Sequence, residues 1–416
     1  MSRPGVVAIA DGGRPTMGTV TEPRTSTPMN PPTRRIGVVG GGQLARMMIG
    51  PAIELDLDLT VLATSPDESA ARVAGSTRIG RHDDDAAVRA LAEAVDVITF
   101  DHEHVPGPIL RGILDTGAAA VRPGPDALAH AQDKLHMRER LTALGHPCPR
   151  WWRLTGPDDL EAALAETGGR LVVKTPRGGY DGHGVRIVTD ASQVEDWFAD
   201  GELLAEELVD FRRELSAQVA RRPGGETVAY PVVESRQRDG VCYEVIAPAP
   251  GLDVSRQQQI QELARRIADD LDVVGMLAVE LFETADGRVL VNELAMRPHN
   301  TGHWSMDGAV TSQFEQHLRA VGDLPLGETT PTAPVVVMVN LLGGHAQDLH
   351  AGAAAALAAD PELKLHLYGK SVRPGRKLGH VTLCGQDAAL LLERAHRAEK
   401  LIIDGPDAAA ADVTRP

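Results

Sequence analysis

Hydrophobic positions fall in short runs separated by polar, glycine-rich or helix-like stretches. Residues 36–39 form an apolar run that ends in Gly40-Gly41-Gly42-Gln43-Leu44-Ala45, and a helix-like segment follows through Met48. Further runs at 59–62 and 97–100, with helical stretches between them, set a βαβ rhythm and predict a parallel sheet over residues 34 to about 128. A helical stretch over 126–144 carries Lys134 and stops before the proline-rich entry at 147–149. The strand predicted at 171–174 ends in Lys174, the loop 177–184 holds four glycines, and 185–188 resumes a strand. A glycine-rich loop between two strands is a flap whose backbone N–H groups can fold over phosphates. Strands are expected at 203–206, 215–220 and 228–233, with a helix at 257–271. Residues 324–334, rich in Pro and Thr, read as a linker, and the strands at 335–342 and 365–368 with a helix at 351–359 as a smaller domain. The fold class is therefore α/β (α+β). The expected organisation is an extension over 1–33, domains at 34–128, 129–330 and 331–402, and a tail over 403–416.

The run 277–283 contains Glu280, and a second run from Val289 leads into Asn292-Glu293-Leu294-Ala295-Met296-Arg297-Pro298-His299-Asn300. If Asp286-Gly287 is a two-residue hairpin turn, Ala285 pairs with Arg288 and Glu280 lies directly opposite Glu293. Like charges facing each other on a sheet are destabilising, and apolar neighbours strip a carboxylate of hydration. A hard divalent cation such as Mg2+, shared with the oxygens of a phosphate chain, would satisfy both acids. The alternative is that one glutamate points to solvent or meets an arginine.

Composition narrows the function. The 416 residues, 43% hydrophobic and 24% charged, describe an ordinary globular chain, and no apolar segment is long enough to span a membrane. Residues 1–33 lack an apolar signal core and read as a disordered extension. Cys148, Cys242 and Cys384 lack metal-ligand spacing and suit a reducing cytoplasm. A net charge of −16 and 3% aromatic residues argue against nucleic-acid binding. Gly40-x-Gly42-x-x-Ala45 loosely matches a dinucleotide fingerprint, but the strand after it ends Leu62-Ala63-Thr64 without the acid that would hold a ribose. These glycines instead suit a tight turn or the approach of a helix N-terminus to an anionic substrate. Residues 100–104, Phe-Asp-His-Glu-His, have the composition of a metal cluster, but alternation along a strand would split them between two faces.

Four motifs in one order carry a resemblance that covers residues 35 to about 402. They are Gly40-Gly41-Gly42-Gln43-Leu44; Gly179-Tyr180-Asp181-Gly182-x-Gly184; Asn292-Glu293-x-x-x-Arg297-x-His299-Asn300-x-Gly302-His303-Trp304; and Val372-Arg373-Pro374-Gly375-Arg376-Lys377-x-Gly379-His380. The chain resembles the ATP-grasp superfamily and, within it, the N5-carboxyaminoimidazole ribonucleotide synthetases. The resemblance implies a Rossmann-like N-terminal domain, a central ATP-grasp domain and a small β-rich C-terminal domain. It also implies a cytoplasmic, homodimeric ligase of purine biosynthesis that uses ATP, Mg2+ or Mn2+, bicarbonate and 5-aminoimidazole ribonucleotide, with no biotin.

By that resemblance Lys134 and Lys174 touch the ATP phosphates under the flap Gly179, Tyr180, Asp181, Gly182, His183 and Gly184. Glu206, Glu207 and Val209 read adenine, Glu214 holds the ribose, and Gln237 and Asn292 complete the nucleotide site. Glu280 and Glu293 match metal ligands; Arg297 and His299 would stabilise carbonate and carboxyphosphate. The ribonucleotide would meet Gly42, Gln43, Leu44, Tyr180, Asp181, His183 and Asn300, with its phosphate on Lys370, Arg373, Arg376 and Lys377. Two positions depart from the family pattern: His183 stands where lysine or arginine is usual, and Gln237 where many relatives have histidine. A formate-using glycinamide ribonucleotide transformylase or a biotin carboxylase would share the flap and both glutamates, but not the Arg-Pro-Gly-Arg-Lys-x-Gly-His segment. A nicotinamide oxidoreductase lacks its ribose acid here, and a nucleotide sensor would not need Lys174, Glu280, Glu293 and Arg297 together.

Overall fold

The computed structural model describes residues 34–179 and 183–405. The expected extension through residue 33, the flap residues Tyr180, Asp181 and Gly182, and the expected tail from 406 onward lie outside the described residues. No helix among the described residues is long and apolar enough to cross a membrane.

Three sheets organise the chain. Strands β1 (Arg35–Val39), β2 (Asp58–Ala63), β3 (Ser76–Ile79), β4 (Val97–Phe100) and β5 (Ala120–Val121) form a parallel sheet in the order β3-β2-β1-β4-β5. β1 and β4 are almost entirely buried, as parallel strands covered by helices on both faces must be. Strands β6 (Trp151–Leu154), β7 (Leu171–Lys174), β8 (Val185–Val188) and β9 (Leu203–Glu207) form an antiparallel sheet in the order β6-β9-β7-β8.

The third sheet takes the remaining strands: β10 (Phe211–Arg221), β11 (Thr227–Ala229), β12 (Val233–Arg238), β13 (Val241–Ala247), β14 (Gly275–Thr284), β15 (Val289–Ala295), β16 (Val335–Leu342), β17 (Lys364–Leu367) and β18 (Lys377–Gly385). Its order is β15-β14-β10-β12-β13-β16-β18-β17, with β11 beside β10. The strands after residue 331 thus extend the same sheet through the β13–β16 ladder, while helices His350–Ala359 and Ala388–Asp404 cover them with a separate apolar cluster around Leu341, Leu383 and Ile402.

Two predicted elements divide. The helix expected over 126–144 is Pro125–Gln132 followed by Lys134–Ala143, because Asp133 leaves helical geometry and caps the second helix through the His136 N–H at 3.1 Å. The strand expected over 228–233 breaks into β11 and β12 around Pro231, which has no N–H for a ladder. The largest buried cluster unites Ile98 and Phe100 of β4 with Leu277 and Val279 of β14 and Val291 of β15. This core holds the carboxyl end of the parallel sheet against the glutamate-bearing hairpin.

Candidate active site

The β14–β15 hairpin presents the two acids as expected, by a different register. Thr284 N–H donates to the Arg288 carbonyl at 3.0 Å, so the turn is the three residues Ala285, Asp286 and Gly287, with Gly287 at φ +82°. The expected Ala285–Arg288 pair does not form; Glu283 faces Val289 and Leu281 faces Val291. A bulge then inserts Asn292, and Glu280 faces Glu293. The bulge restores the register shifted by the turn, and bulges re-aim side chains. Asn292 and Glu293, neighbours in sequence, consequently both line one cavity of about 570 Å³.

Two lysines on different elements line this cavity. Lys134, in the first turn of its helix, sits 3.2 Å from Glu293 Oε1 and donates to the Gly179 carbonyl at 3.2 Å. Lys174 ends β7, its Nζ 2.6 Å from Glu206 Oε2 and 3.3 Å from Asn292 Oδ1. Burial would push the Glu206 carboxyl up, but Lys174 and Arg138 outweigh it and hold it at about 2. Its side chain is therefore committed inward, and a ligand would meet the Glu206–Val209 segment through backbone groups. Glu207 accepts from the Arg150 N–H at 3.1 Å; Val209 lines the cavity. Glu214, pushed up to about 7 by burial, accepts from Gln237, which lines the same cavity where Tyr243 bulges from β13 in the β12–β13 ladder. His183 is exposed at the neck of the flap, and the Gly184 carbonyl accepts from the Thr175 N–H at 2.9 Å. A side chain at Gly184, at φ +69°, would come within 2.3 Å of Thr175 Oγ1.

Beyond β15 the chain turns under the parallel sheet. Glu103, just past β4, accepts from Met296 N–H at 3.0 Å and from Arg297 Nε at 2.7 Å. Burial works against the Arg297 charge, but Glu103 outweighs it and keeps the guanidinium protonated. His299 has the opposite balance: burial, then Arg297 and Lys377, drive it well below its ordinary pKa, leaving a neutral ring. Its Nε2 lies 3.3 Å from Glu280 Oε1 and its Nδ1 2.9 Å from Thr301 Oγ1. Asn300 and Lys377 line the same cavity.

A second cavity, about 930 Å³, is lined by Gly42, Lys370 and Arg376 and shares Asp101 and His102 with the first. Asp101 accepts from Gly42 N–H at 3.1 Å and Ala45 N–H at 2.7 Å, capping helix Gln43–Glu54 from just past the end of β4 because Gly42 has no side chain to do so. A Cβ at Gly42 would come within 2.2 Å of Asp101 Oδ2. The Gly42 and Ala45 amides are thus engaged by Asp101 in an internal cap. Gln43 and Leu44 project into the first cavity, and Gln43 Oε1 accepts from Lys370 Nζ. Arg376 donates to Ser371 Oγ at 2.7 Å. Arg373 is exposed and lines neither cavity; Lys377 faces the glutamates, apart from Lys370 and Arg376.

Known proteins share this architecture along the whole described chain. Family models match at residues 33–132 (ribonucleotide synthetase preATP-grasp domain), 139–314 (ATP-grasp domain) and 336–394 (phosphoribosylaminoimidazole carboxylase C-terminal domain). N5-carboxyaminoimidazole ribonucleotide synthase of Mycobacterium tuberculosis is 51% identical over 378 residues, 89% of this chain and 88% of that protein. The chain belongs to the N5-carboxyaminoimidazole ribonucleotide synthase family. It is an ATP-grasp ligase. The Thermus thermophilus synthetase superposes with a TM-score of 0.79 at 36% identity, covering 88% of this chain and 98% of that one. The Aspergillus clavatus synthase, solved with ADP and 5-aminoimidazole ribonucleotide, gives 0.81 at 30% identity, covering 89% and 98%.

The donor set of this synthase fits a divalent cation. Burial, with Glu293 and Glu214 adding to it, pushes the Glu280 carboxyl up to about 8, so the facing acids retain a proton near neutrality. A hard cation coordinated by both oxygens would replace that proton. Sequence reasoning named Asp101 and Glu103 only within the 100–104 segment, without these roles, and missed Arg138. A local signal existed for the first two, since they follow the carboxyl end of a parallel strand, where open α/β sheets bind ligands.

Proposed function

We propose that this synthase uses ATP and bicarbonate to carboxylate 5-aminoimidazole ribonucleotide, releasing N5-carboxyaminoimidazole ribonucleotide, ADP and phosphate in purine (IMP) biosynthesis. The facing of Glu280 and Glu293 in a cavity that also holds Lys134, Lys174, Arg297 and His299 carries this reading. Mg2+ or Mn2+ held by the two glutamates would neutralise and align the phosphate oxygens of ATP. Lys134 and Lys174 bind those oxygens under the flap formed by Gly179, Tyr180, Asp181, Gly182, His183 and Gly184. Asn292 completes the phosphate side, while the Glu206–Val209 segment takes adenine and Glu214 with Gln237 the ribose.

A bicarbonate oxygen attacks the γ-phosphorus, the bond to the β-phosphate bridging oxygen breaks, and ADP and carboxyphosphate result. Arg297, held at Nε by Glu103 and at Nη1 by the Pro298 carbonyl at 3.2 Å, offers its remaining N–H groups to the carbonate. Neutral His299 donates or accepts a hydrogen bond without adding a second positive charge. Cleavage of the C–O bond in carboxyphosphate releases CO2 and phosphate. The amine nitrogen then forms the new C–N bond, and phosphate accepts the amine proton. Generating CO2 beside the amine removes any need for a biotin carrier.

The ribonucleotide phosphate sits on Lys370 and Arg376, with Gln43, Leu44, Asn300 and the flap orienting the aminoimidazole toward the first cavity. Binding energy spent on this placement supplies the proximity on which the amine's reaction depends. The enzyme acts as a cytoplasmic homodimer, which light scattering tests as twice the 44.3 kDa chain mass. ADP release that requires bicarbonate, Mg2+ and 5-aminoimidazole ribonucleotide together is the expected result. Equal turnover with glycinamide ribonucleotide plus formate would overturn the assignment.

A further inference from the structure

We propose that Arg138 is a positioning residue that sets the phosphate-binding lysine and the bulge carrying Asn292 and Glu293 in one rigid ring. β15 ends the large sheet, so one side of it has no neighbouring strand among the described residues. Backbone groups on such an edge need partners from elsewhere when buried. Here the guanidinium supplies them: Nη1 donates to the Val291 carbonyl at 2.8 Å and Nη2 to the Asn292 carbonyl at 2.6 Å. The Val291 N–H donates to the Pro147 carbonyl at 2.8 Å, and the carbonyls of the irregular backbone that aims Asn292 and Glu293 into the cavity are held by one side chain from a helix more than 150 residues earlier in sequence.

The remaining edge of Arg138 donates through Nε to Glu206, whose other oxygen lies 2.6 Å from Lys174 Nζ. Lys174 closes the circuit on Asn292 Oδ1 at 3.3 Å. Arg138 is 0% exposed and lines neither cavity, so it acts through Glu206, Lys174 and the bulge and not on a ligand. Lys134 stands one helical turn earlier on the same helix face and meets the Glu293 carboxylate. One helix thus grips this segment twice, by its backbone through Arg138 and by its acid through Lys134. A lysine at 138 could keep the charge but not the planar fork that spans two carbonyls and a carboxylate.

This inference rests on the reading of Glu293 as a ligand of the nucleotide-bound cation. Removing only Arg138 would strand a buried Glu206 charge, whereas replacing both by apolar residues of similar size is often tolerated. The full-length variants Arg138→Lys and Arg138→Met/Glu206→Met are therefore compared with wild type by calorimetric titration of ADP across a range of Mg2+ concentrations and of 5-aminoimidazole ribonucleotide alone. Thermal unfolding of each variant confirms folding, and Arg138→Lys gives the same readout if the double variant fails to fold. The expected result is a weakening of Mg2+-dependent ADP binding by about tenfold or more in both, as for lost positioning contacts around a metal site, with ribonucleotide affinity unchanged and no rescue by lysine. Unchanged ADP binding, or equal loss for both ligands, would overturn the role of Arg138. Glu293→Gln measured beside them separates the readings: an unaltered Mg2+ dependence there overturns the metal assignment and this inference with it, whereas a shift confined to Glu293→Gln overturns only the ring.

Discussion

Replacing Glu293 by glutamine keeps the shape of the side chain and removes the carboxylate of one of the two facing acids. In the ligand-free protein that carboxylate does little for folding. Glu293 is 44% exposed, and its partner Lys134 lies 3.2 Å away; an ion pair this open to water contributes about 0–1 kcal/mol. Repulsion against Glu280 offsets part of even that, since Glu293 is one of the groups that push the Glu280 carboxyl up to about 8. The net stability change stays within about 1 kcal/mol, a Tm shift of roughly 2–4 °C or less. Turnover should respond on another scale. Loosening the cation that would neutralise the developing phosphoryl charge in a desolvated site removes about 2.7–4 kcal/mol of transition-state stabilisation, a fall of roughly 10²–10³ in kcat. Phosphate release at saturating ATP, bicarbonate and ribonucleotide, beside thermal unfolding without ligands, measures both. A turnover within about threefold of wild type, or a Tm loss large enough to account for the inactivity, would refute the reasoning.

Arg376→Met removes one cation from the cavity proposed to hold the ribonucleotide phosphate; a hydrogen bond to a charged group contributes about 1.5–3 kcal/mol, so the KM for that substrate should rise roughly 10- to 100-fold with kcat little changed. A fall in kcat at constant KM would place the phosphate elsewhere. His396 predicts a pH dependence of stability: hydrogen bonds to Glu244 and Glu399 raise its imidazolium to about 9, above the unfolded value of about 6.5. Its stabilisation is therefore complete below about pH 6.5 and is lost as the pH rises through about 9, and Tm should decline across that window less steeply in His396→Gln than in wild type. Parallel declines would dissociate this histidine from the alkaline loss.

How much the sequence disclosed varies with the range of the interaction. The glutamate pair was legible because apolar alternation and a glycine turn are local signals, yet the turn holds three residues and a bulge at Asn292 compensates, so the right pair emerged from two departures that cancel. Lys174 was legible for a similar reason, as the polar end of a buried strand before a glycine loop. Arg138 was not, because its partner Val291 lies 153 residues away and nothing near it in sequence distinguishes a buried clamp from a surface ion pair; Glu103 stood past a strand end, but its pairing with Arg297, 194 residues away, did not show. The break at Asp133 hid within a helical pattern because one capping aspartate in an otherwise helix-compatible run is a weak signal. Strands such as β3, exposed at a sheet edge, carry little periodicity, and the joining of β16 to β13 depends on a pairing across about ninety residues.

The central claim is that Glu280 and Glu293 hold the nucleotide's cation between them. Anomalous diffraction from crystals of the synthase grown with ADP and Mn2+ tests it most directly. The account predicts one manganese peak within coordination distance of both carboxylates and of the ADP phosphates. A nucleotide seated in this cavity with its manganese bound by neither glutamate would contradict it.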